Sequence, residues 1–153
     1  MAKKQPDATI QNRRARYDYD VRDGFNVGIM LTGPEVKAVR SGQVSLKGSY
    51  VTLKGGELWL INASFSVLKS SPGASERVVE TGPRKLLAKK KEIAELTAAK
   101  DQGLTIVPLS MTTRTRFIKL HIATAKGKKK YDKRETIKRR DIERENKRTL
   151  ARA

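Results

Sequence analysis

Between Lys126 and Ala153 the chain carries 13 lysines or arginines against five acids, Asp132, Glu135, Asp141, Glu143 and Glu145. The only large aliphatic residues in that stretch are Ile137, Ile142 and Leu150. A segment with this much like charge and so little apolar surface cannot offset the entropy of ordering with a core of its own. It divides the chain at Lys126-Gly127: residues 1–125 are expected to fold, and residues 126–153 to form a basic tail, disordered in solution and helical when bound. The folded part has the length of an ordinary domain, about 100–150 residues. Local chemistry permits the tail helix without securing it. Asp132 and Glu135 have the spacing of a capping box. Glu135 with Arg139 and Glu143 with Lys147 are favourable i,i+4 pairs, but each contributes only about 0.2–0.5 kcal/mol.

Over the whole chain Lys plus Arg total 34 and Asp plus Glu 16, a net charge of +18. Such an excess repels itself and calls for a polyanion. Nucleic acid, an anionic membrane and an acidic protein are the candidate partners. No apolar run approaches the roughly 18–20 residues that span a bilayer, so no membrane partner is expected. Met1 to Asp7 has charge with no apolar region after it, which does not fit a signal peptide. The absence of cysteine excludes disulfides, thiolate metal sites and cysteine catalysis together. A cytoplasmic location is the expectation.

Before the tail the patterning is mostly β. Ala15 to Val21 alternates weakly, and Val27 to Arg40 is a long run broken at Gly33-Pro34. Tyr50 to Leu53 and Glu57 to Ile61 flank Gly55-Gly56, a pair that tolerates positive φ at both central turn positions and so predicts a hairpin. Leu104 to Leu109 and Phe117 to Ala123 follow; the second sets Ile118, Leu120 and Ile122 on one face and Lys119 and His121 on the other, the period of a half-buried strand. Ser70 to Ser75, with Pro72 and Gly73, is expected as an exposed loop. One helix is expected from about Lys89 to Gln102, with Ile93 and Leu96 as its apolar stripe and Gly103 ending it. Short strands with a few helices outside suggest a mainly β fold, a small antiparallel OB-like barrel.

The parts of an enzyme are not in the sequence. His121 falls on the polar face of its strand, where a solvent-facing or rim position is the plain expectation. HExxH, Walker and GxSxG patterns are absent. Asp18 and Asp20 share a strand face but have no third ligand, so neither a metal nor a cofactor is expected. Binding features are better supplied. Asn12-Arg13-Arg14-Ala15-Arg16-Tyr17 joins cations to a ring, and Arg84-Lys85-Leu86-Leu87-Ala88-Lys89-Lys90-Lys91 gathers charge before the helix. Phosphate contacts of this kind give affinity with little sequence discrimination. Aromatics are only 5% of residues, which argues against a stacking platform and for recognition of folded RNA by shape. A general ribosome-associated OB protein is the alternative binder, a metal-dependent nuclease the alternative enzyme, and a partner of acidic proteins the third reading.

At these segments the sequence resembles the small protein B family, the SsrA-binding partners of tmRNA in bacterial trans-translation. The resemblance is carried by Asn12 to Tyr19, Gly33 to Gly42, Gly56 to Leu60, Arg84 to Leu87, Gly103 to Ser110, and Ala125-Lys126-Gly127-Lys128-Lys129-Lys130-Tyr131-Asp132-Lys133-Arg134. These stretches occur in family order and cover nearly the whole chain. The resemblance implies an OB-like barrel with about three flanking helices, bound as a monomer to the tRNA-like domain of tmRNA. It implies a tail that enters the empty mRNA channel of a stalled ribosome, against small-subunit rRNA, and folds there. Residue by residue, it implies that Asn12 and Leu87 contact tmRNA, with Arg13, Arg14, Arg84 and Lys85 beside them. In the tail it implies that Tyr131 stacks near the decoding centre among Lys126, Gly127, Lys128, Lys129, Lys130, Asp132, Lys133 and Arg134. Where the family reads aromatic-Glu-Ala-Gly, this chain has Phe25-Asn26-Val27-Gly28, so Asn26 stands at an RNA-contact position without the charge. The family's Pro-Leu-x-Leu-Tyr run is replaced here by Met111-Thr112-Thr113 after Leu109.

Overall fold

Ten strands and four helices follow one another in the computed structural model, which describes residues 9–71, 73–113, 116–128 and 130–152. Lys129 and the N-terminal Met1–Asp7 segment lie outside the described residues, as does Pro72. The order is β1 (Thr9–Gln11), α1 (Arg13–Asp18), β2 (Tyr19–Ile29), α2 (Gly33–Arg40), β3 (Val44–Ser45), β4 (Tyr50–Lys54), β5 (Glu57–Ile61), β6 (Ser64–Ser71) and β7 (Ala74–Glu80). Then come β8 (Arg84–Leu87), α3 (Lys90–Asp101), β9 (Thr105–Thr112), β10 (Lys119–Gly127) and α4 (Lys130–Arg152).

The main sheet runs β1-β9-β10-β2-β8-β5-β4, and β4 pairs again with β9 through Val51 and Ile106. All of these pairings are antiparallel. Six strands therefore close into a barrel, with β1 added outside β9, and closure leaves no edge within the ring. This is the OB-like barrel expected from the patterning. Its core is built by alternation: Leu58 and Leu60 of β5 are fully buried while Trp59 between them is half-exposed. Val27, Ile106, Met111, Leu120 and Ile122 fill the same interior. Each such side chain contributes about 1.5–3 kcal/mol on leaving water. The β4–β5 hairpin turns at Gly55 and Gly56, at φ +61° and +74°, which L-residues adopt only with strain.

Two segments patterned as strand form helices instead. Arg13–Asp18 is α1, because the Asn12 side chain accepts from Ala15 N and starts a turn that Arg, Ala and Arg sustain. Val36 to Arg40 belongs to α2, in which Pro34 stands in the first turn and Glu35 reaches back to Thr32 N at 3.1 Å. Glu35, Ala38 and Val39 are buried there at helical spacing. The break at Gly33-Pro34 was a change of element, not a turn within one. The expected loop at Ser70 to Ser75 is also largely strand: Ser70 pairs with Ser75 and Ser71 with Ala74, so β6 and β7 form a hairpin whose β-formers outweigh the turn residues at its tip.

α3 is as expected, with Leu96 fully buried, Ile93 packed on the core and Gly103 at φ +85° after it. α1, α2 and α3 flank the barrel, and α4 continues beyond it. β10 itself runs on through Lys126 and Gly127, which pair with Asp20 and Tyr19 of β2. α4 starts at Lys130, so Asp132 lies within its first turn and does not cap it.

Candidate nucleic-acid interface

The period of β8 decides what its basic cluster can do. Leu86 is buried, so Arg84 turns inward with it while Lys85 and Leu87 turn outward. The Arg84 side chain is 12% exposed; its Nη2 lies 2.8 Å from Glu35 Oε1, whose side chain is 5% exposed. Nη1 donates to Gly82 O at 2.7 Å, and the guanidinium sits 5.0 Å above the Phe65 ring. Arg84 thus ties α2 to the barrel, its guanidinium held between Glu35 and the Phe65 ring.

Asn12 is also engaged within the fold. It is 6% exposed, its Oδ1 receives Ala15 N at 3.3 Å, and its Nδ2 donates to Pro108 O at 2.8 Å. Its own backbone N donates to Leu109 O at 2.8 Å. Asn12 anchors the start of α1 to β9, and Ala15 packs with Val107, Leu109, Ala123 and Ala125 beneath the helix. What α1 presents to solvent is Arg13, Arg14 and Arg16. Arg14 is 58% exposed and pairs with Asp18 at 3.2 Å.

The outer face of β2 is nearly bare. Over its second half the outward positions are Gly24, Asn26 and Gly28, between buried Val27 and the core-packed Phe25 and Ile29, while exposed Asp20 and Arg22 precede them and Met30 follows the strand. Neighbours lean into the space the glycines leave. A Cβ on Gly24 would stand 2.8 Å from His121 Cε1, and one on Gly28 would stand 3.2 Å from Leu87 Cβ. Asn26 is framed between them, with His121 Nδ1 at 2.8 Å from its Oδ1. Leu87 is 53% exposed, Met30 is 55% exposed, and Lys119 lies exposed opposite Gly28. Lys85 pairs with Glu57 at 2.9 Å beside Trp59, its register partner. Asn26, Lys85 and Leu87 are therefore brought onto one outer face, as an apolar and cationic patch. His121, Met30 and Trp59 were not foreseen there. The sequence did hold a signal, glycine at alternate positions either side of Asn26 in a strand, which often marks close approach by a ligand.

The tail leaves the barrel at a separate place. Lys128 N donates to Asp18 O at 2.9 Å, and its Nζ donates to Arg16 O and Thr136 Oγ1, each at 3.2 Å. Lys133 Nζ lies 3.3 Å from Asp18 Oδ1 and 5.9 Å from the centre of the Tyr17 ring. Asp18 thus holds cations from α1 and α4 together at the C-terminal end of α1, where the helix dipole also favours positive charge. Lys126, Gly127 and Arg134 are exposed. Lys130, Tyr131 and Asp132 occupy the first turn of α4, and their side chains lie outside the described residues. From Ile137 onward α4 is exposed on all sides, with Ile137, Ile142 and Leu150 at 43%, 58% and 76%. At about 1.5 Å per residue its 23 residues extend about 35 Å. Among the described residues no helix is long and apolar enough to cross a membrane, and no cluster of three or more His, Asp or Glu is placed to hold a metal ion.

Residues 9–152 match the family model described as SmpB protein. A relative from Coxiella burnetii (strain Dugway 5J108-111), described as SsrA-binding protein, is 48% identical over 98% of this chain and 95% of its own length. One from Ligilactobacillus salivarius (strain UCC118), described in the same way, is 44% identical over 98% of this chain and 97% of its own. Among solved structures, a chain from "tmRNA-SmpB: a journey to the center of the bacterial ribosome" superposes with a TM-score of 0.66 at 34% identity, over 85% of this chain and 94% of that one.

Proposed function

The chain belongs to the SmpB protein family, and from that membership we propose that it binds tmRNA and delivers it to stalled ribosomes in trans-translation. The observation that supports this reading is the presence of two exposed surfaces of different character, each suited to RNA. One is the framed patch of Asn26, Lys85 and Leu87 on the barrel; Arg13 and Arg14 of α1 add cations for tmRNA, with Arg14 meeting the tail at Asp18. The other is the exposed basic helix α4. The barrel face takes the tRNA-like domain of tmRNA. Residues 126–153 take the ribosome, with Tyr131 and the lysines around it set against small-subunit rRNA in the empty mRNA channel.

Electrostatics supports this division. α4 carries no apolar stripe that another protein face would bury, and its cations repel one another. A phosphate-lined channel supplies the missing counter-charge, so the helix beyond its anchored first turns is more stable there than in free solution. The role is binding, without a chemical step, and its setting is the cytoplasm. Competition between tmRNA and bulk tRNA, repeated as salt rises, tests it. Phosphate contacts alone weaken equally for both RNAs. A tmRNA advantage that persists with salt is the expected result, and identical behaviour of the two RNAs would leave only a general ribosome-associated binder.

A further inference from the structure

β10 presents the chain's only histidine, His121, to the outer face, opposite Asn26 on β2. The two side chains meet at 2.8 Å, Nδ1 to Oδ1. An amide oxygen only accepts hydrogen bonds, so this contact is a hydrogen bond in the tautomer that carries its proton on Nδ1, with the imidazole donating. In that tautomer the ring holds the Asn26 amide with its oxygen inward. Its Oδ1 is occupied, and its Nδ2 has no partner among the described residues although Asn26 is exposed. The ring lies over Gly24, and Leu87 lies over Gly28 on the other side. Asn26 is thus the only side chain on the outer face of β2 between positions 24 and 28, held by its partner with two N–H donors to offer. Lys119 and Lys85 flank the patch with positive charge.

We propose that His121 is a positioning residue of the RNA site, which orients the Asn26 amide so that Nδ2 donates to a hydrogen-bond acceptor of the RNA, a phosphate oxygen or a base-edge nitrogen or carbonyl. The proposal rests on the tmRNA-binding reading and gives that site its polarity. A carboxylate at position 26 accepts only and would seek donors on the RNA, whereas this amide seeks acceptors. The glycines admit the His121 ring and Leu87 on either side, so the Asn26 amide is held between them while the residue stays exposed.

Because the chain has one histidine, long-range proton–nitrogen correlation of its ring reads the tautomer directly in the full-length protein. The proton is expected on Nδ1; a proton on Nε2, with Nδ1 bare, overturns the pairing whatever RNA is bound. Affinity for the tRNA-like fragment of tmRNA, by fluorescence anisotropy, is the second arm. His121→Ala should weaken it about three- to tenfold, the range of one hydrogen bond. His121→Asn, whose Nδ2 stands near the place of the ring Nδ1 and can still donate to Asn26 Oδ1, should recover most of the loss. Gly24→Ala should weaken it like His121→Ala, because the new Cβ displaces the ring from 2.8 Å while leaving both functional groups intact. Asn26→Asp, which removes the donor and adds a negative charge, should cost most. A loss confined to tmRNA identifies a base edge as the acceptor, and an equal loss on bulk tRNA identifies the phosphate backbone. Wild-type affinity in both His121→Ala and Gly24→Ala overturns the proposal while the tmRNA reading stands. A wild-type protein with no preference for tmRNA instead overturns that reading, and the tautomer still decides the pairing.

Discussion

Arg84 and Lys85 are neighbours in sequence with opposite tasks, because a strand sends successive side chains to opposite faces. Breaking a buried ion pair by removing one partner leaves the other charge uncompensated, at about 3–5 kcal/mol. Arg84→Ala should therefore lower unfolding free energy by roughly that amount in a urea titration, with tmRNA affinity of the folded protein unchanged. Lys85→Ala, on the outer face, should do the reverse. Asn12 belongs with Arg84: Asn12→Ala should cost about 0.5–2 kcal/mol through the lost helix cap. It should weaken RNA binding only through the displacement of Arg13 and Arg14, so cooling or a stabilising osmolyte should restore affinity. These roles were hidden in the sequence for a definite reason. Glu35, Pro108 and His121 are the partners that define Arg84, Asn12 and Asn26, and the last two pairs are 96 and 95 residues apart. A strand period shows which way a residue faces but not what it meets.

At the scale of elements, the chain was most legible where local chemistry alone decides. Gly55-Gly56 forced a hairpin, Gly103 ended α3, and Ile118, Leu120 and Ile122 point inward from β10 as their alternation required. α1 was misread because six residues are too few to show a helical period, and its cap is completed by a carbonyl from β9. α2 was misread because Val36 and Val39 favour strands, while Glu35 and Pro34 set a helix start that outweighs them. The junction of α1 with α4 turns on Asp18, which holds Arg14 and Lys133. Both ion pairs are partly exposed, so each contributes at most about 1 kcal/mol. Asp18→Asn should leave the melting temperature nearly unchanged and raise amide exchange in the first turns of α4. Unaltered exchange there would show that Lys128, through the Arg16 carbonyl, suffices to hold the helix.

The whole molecule is a neutralisation problem in two parts. A closed barrel carries one apolar and cationic patch, the one proposed for tmRNA, and a basic helix of about 35 Å extends from it. From the sequence the charge asymmetry was plain, and so was the place where the core must stop. The point from which the tail departs was not, because it depends on β10 reaching Gly127 beside Tyr19. Such an arrangement predicts a steep loss of affinity with salt for the tail's contacts and a shallower one for the barrel patch, whose Leu87 and Asn26 contribute without net charge.

The most direct test measures two quantities in one variant: the affinity of Tyr131→Ala for tmRNA, and its ability to support tagging of nascent chains on ribosomes stalled without downstream mRNA. Wild-type tmRNA affinity together with lost tagging is the predicted result, because Tyr131 lies in the proposed ribosome-binding tail. Parallel loss of both would contradict the division into two surfaces and place barrel and tail on a single RNA.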